Sequence, residues 1–351
     1  MPPIPTVESA ARATQGSAPI LSVRDLKTYF HLGEGIVRAV DGVSFDVRPG
    51  RTLGIVGESG CGKSITARSI LGIVDPPGRT ESGEIWLQRA GDPAAGPVDL
   101  AALAPNSVQM RAIRAKEIAL IFQEPMSSFS HYYTVGNQIM EAIREHSDAT
   151  RDEAHARAIE LLRTVGVPQP ERRVDEYPFQ LSGGLRQRVM IAMALACDPR
   201  LLIADEPTTA LDVTTQAQIL DLLRGLQKQR GLALILIPHD MGVIAEMADD
   251  VVVMYLGRAV EKGCVDDIFH APKHPYTRAL LRSIPSIMAA PRTKLATLGG
   301  SIPHPFNRPV GCPFHPRCPE FIPELCDRAV PPVLAEADGR EVSCFLYGGR
   351  P

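Results

Sequence analysis

The chain has 351 residues, 44% of them hydrophobic and 22% charged, a balance that excludes collagen-like, coiled-coil and wholly disordered chains. At about 150 residues per domain, this length allows one large domain or two small ones. Lys and Arg number 37 against 40 Asp and Glu, a net charge of -3. With no basic surplus to hold a phosphate backbone, nucleic-acid binding is not expected.

Residues 1–19 are rich in Ala, Pro, Ser and Thr without periodicity and read as a flexible tail. They lack a basic stretch ahead of an apolar core, so no signal peptide is expected and the protein is placed in the cytoplasm. From Ile20 the pattern Leu21, Val23, Leu26, then 37–40, then Val43, Phe45 and Val47 predicts an antiparallel β layer, divided at Gly33, Gly35, Pro49 and Gly50. An apolar strand over 52–56 leads into a glycine-rich loop and a helix over 63–73. Between 75 and 117 only 84–87 reads as a strand. Helical spacing covers 135–166, with 151–165 amphipathic, and 185–197. Then strand 201–204, helix 214–230, strand 232–237, helix 241–247 and strand 251–255 alternate, which predicts a parallel sheet covered on both faces. The longest apolar runs, 232–237 and 251–256, fall far short of the roughly 18 residues that cross a bilayer. Beyond about residue 270 prolines cluster and periodicity fades, so a small C-terminal appendage is expected.

Gly57, Glu58, Ser59, Gly60, Cys61, Gly62, Lys63 and Ser64 fit G-x-x-x-x-G-K-[ST] between a predicted strand and a predicted helix. Glycines let backbone N–H groups curl around a triphosphate, and the helix N-terminus adds a favourable dipole. Lys63 is placed to reach the β- and γ-phosphates and the Ser64 hydroxyl to ligate Mg²⁺, so ATP with Mg²⁺ is the expected ligand. Strand 201–204 runs into Asp205, suited to the Mg²⁺ shell, and Glu206, suited to polarise the attacking water as general base. Ser182, Gly183 and Gly184 precede an apolar helix and form either a second phosphate-binding turn or a plain helix cap. One γ-phosphate does not need two cradles from one subunit. The economical expectation is that this loop serves a nucleotide on another copy or a relative.

In this order, GESGCGKS, LSGG and LLIADEP resemble the ATP-binding subunits of ABC transporters, whose signature is LSGG. The resemblance spans 20 to about 270. It implies an α/β fold: a P-loop ABC-type nucleotide-binding domain with a parallel sheet, an antiparallel β subdomain and a helical subdomain. It also implies roles for single residues. Gln123 stands in the Q-loop, touching Mg²⁺ or water and sensing membrane subunits; Ala210, Leu211 and Asp212 form the D-loop; His239 is the switch histidine at the γ-phosphate. Phe30 sits where the family stacks an aromatic on adenine, with Tyr29 as its neighbouring candidate and a core role equally open.

IFQEPMSSFS, LSGGLRQRVMIAMALACDP, HPYTRALL at 274–281 and GCPFHPRCP at 311–319 look like the oligopeptide/dipeptide (and nickel) importer subfamily. Phe129, Ser130, His131, Tyr132 and Tyr133 depart from the Leu-Asn-Pro usual there, close to where a membrane subunit would dock. Nucleotide chemistry is untouched by this departure. The solute is opened by it: peptides first, then oligosaccharides, opines or nickel.

Of seven cysteines, Cys312, Cys318, Cys326 and Cys344 are spaced C-x5-C-x7-C-x17-C. In a cytosolic protein such a set argues against structural disulfides, and soft sulfur suits an iron–sulfur cluster or a tetrahedral zinc. The C-x2-C knuckle of structural zinc sites is missing. The subfamily resemblance implies a [4Fe–4S] cluster; four unligated thiols are the alternative, with His315 a substitute ligand or a surface residue.

The resemblance further implies a tail over 1–19, an ATP-binding domain over 20–270 and an extension over 271–351. Its partners are a second, distinct ATPase subunit bound head to tail, two membrane permease subunits and an extracytoplasmic solute-binding protein. It sits at the cytoplasmic side of the inner membrane and energises uptake by hydrolysing ATP. A non-transport ABC ATPase is disfavoured by the single set of motifs and the lack of a heptad run. A P-loop kinase or GTPase has no use for the Ser-Gly-Gly loop.

Overall fold

The computed structural model describes residues 18–89, 96–123, 128–209, 211–284 and 299–348. Most of the expected tail, residues 124–127 of the Q-loop stretch and Ala210 of the D-loop lie outside the described residues.

Strands β1 (Leu21–Leu32) and β2 (Gly35–Val47) form an antiparallel hairpin whose inward positions are Leu21, Val23, Leu26, Val43, Phe45 and Val47. Residues 37–47 are therefore one strand, where the sequence pattern suggests two runs. The central strand β3 (Thr52–Val56) follows, then helix α1 (Lys63–Ile70), which stops three residues earlier than its pattern predicts. Leu71 caps it and Gly72 turns the chain at φ +59. Strand β4 (Gly78–Leu87) starts six residues before the expected 84–87, because pairing with β1 recruits the polar stretch Arg79, Thr80, Glu81 and Ser82. With β5 (Val98–Asp99) these strands make a four-stranded sheet in the order β2-β1-β4-β5.

Helix α2 (Val108–Lys116) leads to β6 (Ile118–Ile121), and a helical group follows: α3 (Val135–His146), α4 (Arg151–Thr164), α5 (Pro170–Arg173) and α6 (Gly183–Ala194). The continuous helical spacing over 135–166 breaks at Ser147, which is extended, and restarts at Thr150 with a capping box to Glu153. After it come β7 (Leu201–Asp205), α7 (Val213–Arg230), β8 (Ala233–Ile237), α8 (Met241–Met247), β9 (Asp250–Tyr255) and β10 (Arg258–Cys264). Helices α9 (Val265–His270) and α10 (Pro275–Arg282) and the short strands β11 (Leu334–Ala335) and β12 (Glu341–Val342) complete the set.

The main sheet runs β11-β12-β10-β9-β3-β8-β7-β6, parallel from β9 to β6 and antiparallel at β10, β12 and β11. Every residue of β3, β7 and β8 is buried, as a sheet covered on both faces requires. Successive residues serve opposite layers. Leu202 and Ala204 of β7, with Leu234 and Leu236 of β8, join the core with the helical group. Leu201 and Ile203, with Ile235 and Ile237, join the core under the antiparallel sheet. Among the described residues no helix is long and apolar enough to cross a membrane.

The C-terminal residues share the first of these cores: Tyr276, Cys312, Phe314, Cys326 and Phe345 are all buried in it. Their anchor is Glu261 of β10, 1% exposed. Its carboxylate accepts from Arg340 Nη2 at 2.6 Å and from the backbone N–H groups of Lys273 at 2.7 Å and His274 at 2.9 Å. Replacing Arg340 by Met strands that buried charge and is expected to cost about 3–5 kcal/mol of stability, read by chemical unfolding.

His274 is buried, with Nδ1 accepting from the Tyr276 N–H, and burial holds its pKa down from 6.5 to about 3. A group with a depressed folded pKa contributes stability above its unfolded value and loses it as pH falls toward the folded one. Thermal stability should therefore fall from about pH 6.5 downward. A His274→Gln variant should flatten that part of the melting-temperature profile.

Candidate functional site

The loop from Gly57 to Ser64 joins the end of β3 to α1 and is held open by close backbone approaches. A Cβ on Gly57 would lie 2.1 Å from the Met254 carbonyl oxygen, and one on Gly62 2.2 Å from that of Ala39, so neither position admits a side chain. Both carry positive φ, +148 and +103. Ser59 and Gly60 are exposed at the loop's tip, and Cys61 is buried beneath it. Lys63 folds back over the loop, donating from Nζ to the carbonyls of Gly57 at 2.8 Å and Glu58 at 3.2 Å. An ammonium held by two neutral carbonyls exchanges them readily for phosphate oxygens.

Ser64 Oγ donates to Asp205 Oδ1 at 3.0 Å. Asp205 ends β7, is 7% exposed, and has its pKa raised by burial, with the Glu206 charge adding to the effect. A hydroxyl and a buried carboxylate meeting beside a phosphate loop are a donor set that fits Mg²⁺. Glu206 follows at φ +49, its N–H bonded to the Ile237 carbonyl, a strained turn that brings its carboxylate back over the end of the sheet. Glu206 Oε2 accepts from Gln123 Nε2 at 2.8 Å and from Thr209 Oγ1 at 2.8 Å. The sequence reading missed Thr209; a Thr three residues after an acidic strand end carries no signal of its own.

Other candidates separate from this cluster. Tyr29 is committed elsewhere: its hydroxyl donates to Asp41 at 2.7 Å, and burial and that bond push its pKa up to about 12. Phe30, half-buried, lies against Gly78 of β4, where an added Cβ would sit 2.5 Å from the ring. His239 is exposed after β8, and Asp240 caps α8 through its bond to the Gly242 N–H. Asp212 caps α7, accepting from Thr215 N and Oγ1.

Ser182 occupies the N-cap of α6 but makes no side-chain capping bond, unlike Thr134, Thr150 and Asp212 at their helices. The plain-cap alternative therefore lacks its defining contact. Gly184 has a packing reason besides, since a Cβ there would lie 2.6 Å from Thr215 Cγ2.

Glu58 has two partners that pattern reading did not single out. Arg317 forks onto its carboxylate at 2.7 and 2.9 Å, and its N–H donates to Tyr276 Oη at 2.8 Å. Both lie inside stretches that carry the subfamily resemblance, HPYTRALL and GCPFHPRCP, which was the only signal available.

Cys312, Cys326 and Cys344 are buried and Cys318 is half-buried, all as free thiols. Burial, followed by the neighbouring thiols, pushes Cys312 up to about 12 and Cys318 up to about 11. Yet among the described residues no group of three or more His, Cys, Asp or Glu is arranged to hold a metal ion. His315 places Nδ1 3.0 Å from the Cys312 carbonyl, and its ring lies tilted against Phe321 with centroids 5.6 Å apart.

Comparison with known proteins agrees with this geometry. Residues 40–209 match the family model described as ABC transporter, and 260–326 match that described as oligopeptide/dipeptide transporter, C-terminal region. The dipeptide transport ATP-binding protein DppD of Haemophilus influenzae is 48% identical over 93% of this chain and 94% of its own. The oligopeptide transport ATP-binding protein AppD of Bacillus subtilis is 47% identical over 93% and 97%. A dimeric ATP-binding cassette solved in a post-hydrolysis state with ADP and Pi superposes with TM-score 0.61 at 25% identity, covering 70% of this chain and 98% of that one. With phosphate loop, acidic strand end and near-full-length relatives in agreement, the chain belongs to the ATP-binding proteins of ABC transporters and is an ATPase subunit of that family.

Proposed function

We propose that this subunit powers the import of peptides from the cytoplasmic face of the inner membrane, paired with a second ATPase subunit and two membrane permeases, and supplied by an extracytoplasmic binding protein. The observation that carries the catalytic half is the meeting of Ser64 with Asp205 at 3.0 Å, one residue from Glu206. The solute half rests on relatives named for dipeptide and oligopeptide transport along nearly their whole length.

In this reading residues 20–270 form the cassette and 271–351 its extension. Backbone N–H groups of the Gly57–Ser64 loop, other than that of Glu58 which is bonded to Tyr276, cradle the triphosphate, Lys63 turns from its carbonyls to the phosphates, and Phe30 backs the adenine. Ser64, Asp205 and Gln123 hold Mg²⁺, which supplies charge neutralisation at the phosphates when bound. Glu206 orients the attacking water and takes its proton at the carboxylate, with His239 facing the γ-phosphate. Gln123 and Thr209 both donate to Glu206 Oε2, so Gln123 orients the general base. That ties hydrolysis to movement of the Q-loop against the membrane subunits. Ser182, Gly183 and Gly184, with uncapped N–H groups behind them, complete the partner's site, and Asp212 lies along the same seam. Tyr132 and Tyr133, exposed beside the Q-loop, are where the departure from the usual subfamily pattern meets the permease.

The same proposal gives Cys312, Cys318, Cys326 and Cys344 to a [4Fe–4S] cluster. What supports it is the subfamily resemblance of the stretch 311–319 and the packing of Cys312, Cys318 and Cys326 in one core; against it, no group of three or more His, Cys, Asp or Glu among the described residues is arranged to hold a metal ion. The four thiolates would hold the cluster and it would supply a redox-active or structural iron centre to the extension. Anaerobically purified protein should contain about four irons and four acid-labile sulfides per chain, and Cys318→Ser should lose most of both. Iron at background with zinc at one equivalent, or neither metal, would overturn the cluster.

Glu206→Gln should keep ATP binding while lowering turnover of the assembled transporter by about 100-fold or more. Lys63→Ala should lose ATP binding itself. Wild-type turnover should rise when peptide-loaded binding protein is added. Turnover that responds to oligosaccharide and to no peptide would keep the ATPase and replace the solute.

A further inference from the structure

Glu58 poses an electrostatic problem. It is a carboxylate within the loop that must hold a triphosphate, and an unpaired charge there would repel the ligand. Its side chain is turned aside and neutralised by Arg317, whose Nη1 and Nη2 reach Oε2 and Oε1 at 2.7 and 2.9 Å in a two-pronged pair. Arg317 is itself rigidly held. Its side chain is 4% exposed, Nε donates to the Gly299 carbonyl at 3.1 Å, Nη1 also reaches Tyr255 Oη at 3.4 Å, and the guanidinium lies over the Tyr255 ring.

A second contact from the extension lands on the same residue. Tyr276 Oη accepts from the Glu58 N–H at 2.8 Å. Beneath the loop, Tyr255, Tyr276 and Phe314 pack ring on ring with centroids 4.7 to 5.4 Å apart. Tyr276 comes from α10, while Phe314 and Arg317 come from the turn between Cys312 and Cys318. Two points separated by some forty residues of extension thus converge on one residue of the phosphate loop.

We propose that Arg317 and Tyr276 are positioning residues for the phosphate loop, through which the cysteine-bearing extension sets the ATP affinity of this chain's own site. Arg317 removes the repulsion that Glu58 would exert on the triphosphate, and Tyr276 fixes the path of the loop at that residue. The turn that carries Cys312 and Cys318 therefore has to be folded for the loop to be ready for nucleotide. This rests on the reading of Gly57 to Ser64 as the nucleotide loop.

The test uses the full-length chain in its assembled transporter, measuring the ATP dissociation constant, and KM and kcat for hydrolysis. Arg317→Ala should weaken ATP binding on the order of tenfold and raise KM in step, with kcat at saturating ATP changed less than about twofold. Adding Glu58→Gln to Arg317→Ala should restore binding to within about threefold of wild type, because no carboxylate is left to repel the phosphates. Tyr276→Phe should raise KM by a smaller factor. Arg278→Ala serves as control, since its ion pair with Glu320 lies within the extension.

A double variant as weak as Arg317→Ala alone would make the residue a structural prop and overturn the proposal. So would Arg317→Ala binding ATP no worse than Arg278→Ala. Failure of the wild type to bind ATP would overturn the underlying nucleotide-loop reading instead, a result distinct from either.

Discussion

A phosphate loop is a turn of backbone N–H groups whose proper partner is an anion, and its shape has to be held by something else until that anion arrives. Here the holding comes from all sides. Gly57 and Gly62 are pressed against the carbonyls of Met254 and Ala39 where no side chain fits, Lys63 folds onto the loop's own carbonyls, and Tyr276 and Arg317 pin Glu58 from outside. The sheet order follows from the same requirement. β3 delivers the loop from the middle of the sheet, with β9 on one side to wall it and β8 on the other, and β7 beyond β8 to bring the acidic pair.

The second constraint is that pair. Asp205 and Glu206 are adjacent, so the chain must turn sharply for the two carboxylates to serve different tasks, and the positive φ at Glu206 is how it does so. Asp205 stays buried against Ser64 while Glu206 swings to Gln123 and Thr209. Under the proposed function, the hydrogen bond from Gln123 to Glu206 would link the chemistry to movement of the loop that carries Gln123.

Legibility in the sequence varied with the range of the contacts. Strands β7, β8 and β9 and helix α8 are evident from their own patterns, because burial on both faces or on one stripe leaves a local imprint. The start of β4 is not, since Arg79, Thr80, Glu81 and Ser82 are polar and become strand only because β1 offers them hydrogen-bonding partners. The loop, Asp205 and Glu206 follow from spacing and order. Thr209, and the bond that occupies Tyr29 on Asp41, depend on which way side chains turn.

By itself, the sequence determined the nucleotide loop, the acidic strand end, the family and the alternation that builds the parallel sheet, since each is written in residues close together in the chain. Only the tertiary structure decided that β10, β12 and β11 continue the sheet into the C-terminal residues, that a buried Glu261 with Arg340 holds that join, and that Tyr276 and Arg317 meet on Glu58. The last contact spans 259 positions of chain. No local pattern encodes a pairing at that separation; the packing of Tyr255, Tyr276 and Phe314 into one cluster brings the partners within reach.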